Sequence, residues 1–215
     1  MTFHNKSHHN MTTMLRRAAL TLLTAALLSP AAAAGGKVDI YDLSLDENLE
    51  VPAVPDKAVT NVTDFQYQQA LKLAKQGFDT ELMREGEVIV VTIKASALFA
   101  PNDTVLSTAG KSKLKPLLEL LKPAGFYKLM LAMHADNTGS PRYAMRLTRA
   151  RVNAVYDWLD NGGSVDYVVP FAMGDSEPAE SNDSMEGRES NRRLEVFIIP
   201  EEAMINKAKK GKGKK

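Results

Sequence analysis

Four β-rich runs with two striped helices between them constrain this chain more than any other feature. "EVIVVTIKAS" (87–96), "FYKLMLAMH" (126–134), "YVVPFAMG" (167–174) and "RRLEVFIIP" (192–200) are dense in β-branched and apolar residues and read as strands. Between the first two, "STAGKSKLKPLLELLK" reads as a helix with Leu114, Leu117, Leu118 and Leu121 inward, and Pro116 is expected to kink or restart it. Between the second and third, a helix from Pro141 carries Leu147, Ala154, Val155 and Trp158 at three- and four-residue steps and stops at "DNGG". Strand–helix–strand alternation implies parallel pairing through crossovers. The last strand arrives without a helix and is free to run antiparallel.

The ends set the context. "MLRRAALTLLTAALLSPAAAA" has a basic start, an apolar stretch and small residues fitting an Ala-x-Ala cleavage signal, so residues 1–34 are read as a secretory signal peptide. The apolar run is short for a membrane span. No cysteine exists, which excludes lipidation at the cleavage point, disulfides and thiolate metal sites. Of the four histidines only His134 lies outside the leader, too few for a zinc site. Without Lys6, Arg16 and Arg17, 24 basic side chains face 26 acidic ones, a net −2; setting aside the six lysines of the closing "KAKKGKGKK" leaves a body of −8. An acidic body argues against nucleic acid as the partner. The basic residues 201–215 read as a disordered, solvated tail, either a solubility device or a weak attractor of anionic envelope surfaces.

Residues 35–86 are expected to add an extended lead-in and one helix. "TDFQYQQALKLAKQG" offers a Thr63/Gln66 capping box, a stripe of Tyr67, Ala70, Leu71 and Ala74, and Gly77 as its close. The segment 87–200 is the main domain.

One residue sits oddly in this pattern. Arg151 falls in the middle of its helix's apolar stripe, between Leu147 and Val155. An unpaired charge there is costly, so a partner is required. Asp136 lies in the loop after the second strand, just before the same helix, where a carboxylate is favoured by the dipole. The Arg151 side chain points back toward the helix N-terminus. Loops after parallel strands are where ligands bind. Two arrangements fit: a pocket holding the carboxylate and ammonium of an amino-acid head group, or an internal Asp136–Arg151 ion pair on a structural or protein-interaction scaffold.

The stretches "ADNTGSPRYAMRLTRARVNAVYDWL" and "GDSEPAESNDSMEGRESNRRLEV" resemble the two ordered motifs of the OmpA-like domain family, the peptidoglycan-binding module of outer-membrane and cell-wall proteins. "ALFAPNDTVLS" resembles the family's opening turn, with Asn102 near the ligand edge. The resemblance implies an α/β two-layer domain (an α+β sandwich) of βαβαββ order. It further implies a mixed four-stranded sheet, two helices on one face and an antiparallel last strand. It implies that Asp136 takes the ammonium and Arg151 the carboxylate of diaminopimelate in the peptidoglycan stem peptide. Arg192, opening the last strand, is a further candidate, while Arg193 shares a face with Glu195 and is expected to pair with an acid. Asn191, Asn182 and Gly187 are expected to shape the long loop. Ala135 stands where the family has Thr and Ala144 where it has Asn, so either the two lost polar contacts weaken binding or residues such as Asn137 or Asn102 substitute for them.

Other chemistries fit poorly. "SKLK" (112–115) matches Ser-x-x-Lys but lacks the companion motifs of penicillin-binding enzymes. "DSEPAESNDSME" lacks the ligand spacing of an EF-hand. No phosphate loop and no barrel pattern of repeated alternating strands occurs. The sequence therefore points to a non-enzymatic, cofactor-free, exported envelope protein of the periplasm or outer-membrane surface. Its partners are peptidoglycan and, through the tail, an outer-membrane protein or anionic surface.

Overall fold

A computed structural model describes residues 52–122 and 124–211. The expected signal peptide, the expected lead-in up to residue 51 and the last four residues of the expected tail lie outside them. The elements run α1 (Asp56–Lys75), β1 (Asp79–Met83), β2 (Val88–Lys94), α2 (Thr108–Leu120), β3 (Tyr127–His134), α3 (Pro141–Asp160), β4 (Val168–Gly174), α4 (Met185–Asn191), β5 (Arg193–Pro200) and α5 (Glu202–Lys209). The strands form one mixed sheet in the order β1-β2-β5-β3-β4. β3 and β4 are parallel; β5 inserts antiparallel between β2 and β3. No described helix is long and apolar enough to cross a membrane.

The four predicted strands stand within a residue or two of their expected limits, but the sheet has five among the described residues. β1, "DTELM", carries no β-branched run; it pairs antiparallel with β2, Met83 opposite Val88, its one strand partner among the described residues. Its acids are what an edge strand tolerates.

Alternation divides the sheet into two apolar faces. Ile89, Val91, Leu129, Leu131, Val196 and Ile198 face the helices and are at most slightly exposed. The helices meet them with Leu73 of α1, Leu114 and Leu117 of α2, Val152 and Val155 of α3, and Met204 and Ile205 of α5. Each fully buried side chain of this size stabilises the fold by about 1.5–3 kcal/mol.

Three expectations need correction. α1 begins two turns before Thr63, whose hydroxyl donates to the Thr60 carbonyl inside the helix rather than capping it. Gln66 is buried and its amide donates to the carbonyls of Glu87 (2.6 Å) and Ile198 (3.1 Å). That polar tie turns the helix so that Leu73 is buried and Tyr67 is half exposed. α2 runs unbroken through Pro116 from its Ser107 cap. Residues 202–209 are a packed helix, not a disordered tail, because Met204, Ile205 and Ala208 recur at helical spacing and enter the core. Lys207 lies over the rings of Phe65 and Phe126, 5.5 and 5.3 Å from their centroids.

Candidate functional site

The site forms at the C-terminal ends of β2 and β3, where α3 and α4 come together. β3 shifts register between Met133 and His134, which opens the strand into the loop carrying Asp136. Ser140 caps α3 by accepting from the Tyr143 N–H (3.2 Å), and Pro141 follows at the first helical position. The result is a cavity of about 650 Å³ walled by Phe99, Asn102, Asp136, Tyr143, Arg151 and Arg192, among others.

Arg151 is buried, 6% exposed. Its Nε donates to the Asp103 carbonyl (2.8 Å) and its Nη2 to the Ala100 carbonyl (3.3 Å); the guanidinium lies 5.0 Å from the Phe99 ring centroid. Burial lowers its pKa, but a guanidinium stays protonated. Among the described residues it makes no ion pair with a carboxylate, so the internal Asp136–Arg151 pair is absent. The apolar stripe is interrupted because the arginine pins the 100–103 loop and wets the cavity with a fixed positive charge.

Asp136 is 8% exposed. Its Oδ1 accepts from the Thr138 N–H (3.0 Å), and its Oδ2 accepts from Arg192 Nη1. Burial alone would raise its pKa. The Thr138 N–H and hydroxyl, with the Arg192 guanidinium, outweigh that and hold it below the ordinary value. Arg192 also donates to Glu189 Oε2 (2.8 Å), and Glu189 Oε1 accepts from Ser96 Oγ (3.0 Å). The cavity thus carries two guanidinium groups and two carboxylates, with zero net charge among the four.

Of the sequence candidates, Asp136, Arg151, Asn102 and Arg192 line the cavity together. Asn102 adopts a left-handed backbone (φ 56°) and accepts from the Tyr143 hydroxyl at 3.4 Å. Asn137 is exposed and is not a cavity wall, because the turn closed by Asp136 and Thr138 points it outward. Glu189 escaped the sequence reading; its i,i+3 spacing from Arg192 was the available signal. Asn191 shapes the loop as expected, accepting from the N–H groups of Ala179 and Glu180 and donating to Glu180 O and Asn182 Oδ1.

Residues 98–192 match the OmpA family. That stretch resembles an OmpA-family domain. The chain is 25% identical over 126 residues to the probable lipoprotein YiaD of Escherichia coli (strain K12), covering 58% of each. It is 29% identical over 101 residues to the peptidoglycan-binding protein ArfA of Mycobacterium tuberculosis (strain ATCC 25618 / H37Rv), 46% of this chain and 31% of that one. The chain therefore spans at most 58% of the length of these two curated relatives. The structure of the cell wall anchor of the T6SS from Pseudomonas aeruginosa matches with a TM-score of 0.52 at 26% identity, over 65% of this chain and 97% of that one.

A second polar cluster sits apart from the cavity. Arg193 is buried and its Nε donates to Glu195 Oε1 (2.7 Å), as expected of it. His134, 1% exposed, lies with Nε2 3.5 Å from Glu195 Oε2, and neither ring nitrogen has a hydrogen-bond partner among the described residues. Burial lowers the His134 pKa below its ordinary 6.5. Burial would raise Glu195, but His134 and Arg193 outweigh it and bring it from 4.5 to about 2. As pH falls below 6.5 the unfolded chain takes the histidine proton first. Below 4.5 it takes the carboxylate proton first. Stability is therefore expected to be flat above neutrality and to fall on acidification in two stages, the second running down toward pH 2. Urea unfolding between pH 8 and 3 checks this; a stability independent of pH below 6.5 contradicts it.

Proposed function

We propose that this domain binds peptidoglycan without chemistry of its own, gripping a stem-peptide residue that carries both an ammonium and a carboxylate, as diaminopimelate does. The observation that carries the reading is Arg151, a buried cation held by backbone carbonyls, with no ion pair among the described residues, on the wall of a cavity shared with Asp136. Its guanidinium supplies the counter-charge for a ligand carboxylate, and Asp136, already ionised, supplies the acceptor for an ammonium. A carboxylate has lone pairs to spare beyond Thr138 and Arg192. Zero net charge over the four groups suits a zwitterion better than an anion or a cation. The resemblance to a peptidoglycan-binding protein and to a cell wall anchor supports peptidoglycan as the partner. Kinship with a lipoprotein and the signal-peptide reading support export to the envelope, with this chain acting as a tether or organiser there.

Ala135 and Ala144 replace two polar side chains of the family pattern, and Ala144 is buried at the cavity wall. The grip therefore rests on the charged groups. In co-sedimentation with diaminopimelate-type sacculi, the parent chain is expected in the pellet. Asp136→Asn and Arg151→Met are each expected to weaken retention at least tenfold, since a charge-assisted bond contributes roughly 1.5–3 kcal/mol. Retention unchanged in both variants rejects the reading. Because Asp136 is held ionised below its ordinary pKa of 3.8, retention is expected to persist down to about that pH.

A further inference from the structure

The sheet has a second face that no described element covers. Val88 and Val90 of β2, Met130 and Ala132 of β3, Phe171 of β4, and Phe197 and Ile199 of β5 point away from the helices into one apolar cluster. Met130, Ala132 and Ile199 are 0% exposed. Among the described residues, the partly buried hydrophobics packed against this cluster are Met83, Val169 and Met173, all on the sheet itself, whereas α1, α2, α3 and α5 send their buried apolar side chains mainly to the opposite core. A one-sided sheet presents polar residues to water on its open face. Thr92, Lys128, His134, Arg193 and Glu195 alternate onto the same face, yet the seven apolar residues are only 0–6% exposed, so something apolar lies on them.

We propose that the cover is residues 38–51 of the same chain, "VDIYDLSLDENLEV". Position, reach and pattern all fit. The cluster runs from the end of the sheet where Val88 and Ile199 lie as far as Ala132 and Phe171, and α1, which follows this segment, is tied to the first of these ends by Gln66 through the carbonyls of Glu87 and Ile198. Fourteen extended residues reach about 46 Å, against roughly 19 Å for the four gaps of a five-stranded sheet. Within the segment Tyr41, Leu43 and Leu45 alternate with Asp42, Ser44 and Asp46, giving one apolar side to lay on the sheet and one polar side for water. The segment follows the expected cleavage point, so the exported chain keeps it. It braces the domain from behind, on the face away from the cavity.

The chain contains no cysteine, so a single introduced thiol reports on one place. Val90→Cys and, separately, Met130→Cys are placed in the full-length exported chain, and maleimide labelling is timed under native conditions. Labelling is expected to be at least about tenfold slower than in urea-unfolded chain, at a rate independent of protein concentration. Adding Tyr41→Ser, Leu43→Ser and Leu45→Ser to the same chains is expected to speed labelling about tenfold while circular dichroism and sacculus retention stay unchanged. Fast labelling without those serines, or slow labelling that persists with them, overturns the proposal. Protection that weakens on dilution also overturns it and assigns the face to a second copy. If one cysteine variant fails to fold, the other carries the measurement. Loss of sacculus binding in the Asp136→Asn chain leaves this result untouched, because the two surfaces are separate.

Discussion

An Arg193→Met chain is expected to lose roughly 3–5 kcal/mol of stability, the usual consequence of removing one partner from a buried ion pair. Arg193 is 2% exposed and its guanidinium is used on three sides: Nε to Glu195, Nη1 to the Asn191 carbonyl (3.3 Å) and Nη2 to the Glu177 carbonyl (3.3 Å). Methionine fills much of the same volume, so little of the loss is cavity. What remains is a Glu195 carboxylate, 5% exposed, beside an imidazole that is neutral at pH 7. The carboxylate must then stay charged without a counter-ion or take a proton well above its ordinary range. At about 2–4 °C per kcal/mol for a domain of this size, the midpoint of thermal unfolding should fall by roughly 6–20 °C. The double variant Arg193→Met with Glu195→Leu is expected to recover part of that loss, because both charges leave together. A single variant within about 1 kcal/mol of the parent, in urea unfolding at pH 7, would show that the pair is incidental.

The same cluster shows how far the sequence could be read. Arg193 and Glu195 stand two apart on a strand, so their pairing followed from period two alone. Local periodicity also placed β2 to β5 and α3, since each is a continuous run whose apolar residues face a core. Arg151 announced itself by breaking such a run, and Asp136 by its place before α3. What failed was long-range. The carboxylate facing Arg192 lies 56 residues earlier in the chain, and no pattern within either segment records that it is Arg192, not Arg151, that meets Asp136. α1 was phased on its own apolar residues, whereas a polar residue, Gln66, sets its rotation through carbonyls on β5 and the turn before β2. β1 is short, acidic and paired on one side only, so tertiary pairing supplies what propensity lacks. α5 was hidden by its lysines, which occupy the solvent side of a helix whose apolar side is only Met204, Ile205 and Ala208.

Gly187→Ala is expected to damage both stability and wall binding, although Gly187 is not among the walls of the cavity. Gly187 occupies the first turn of α4, where its N–H donates to the capping hydroxyl of Ser184 (2.9 Å). A Cβ built there would stand 1.9 Å from the Ser181 carbonyl oxygen, a backbone atom with no freedom to swing aside. Either the 179–183 loop lifts or α4 retreats. If the loop lifts, Asn191 loses its bonds to Ala179, Glu180 and Asn182, all of them to the displaced segment. If α4 retreats, Glu189 and Arg192 move with it, and Asp136 loses the guanidinium that holds it ionised. Overpacking of this kind costs about 1–3 kcal/mol or more. Both routes pull on the chain that joins α4 to the cavity, so sacculus retention is expected to drop several-fold while the main core, built on Leu131, Val196 and their neighbours, still unfolds cooperatively. Measured together, urea unfolding and co-sedimentation separate the outcomes. Lost stability with full retention would mean that the loop moves alone and α4 stays. Unchanged values in both would mean that the close approach of Gly187 to Ser181 is not needed at all.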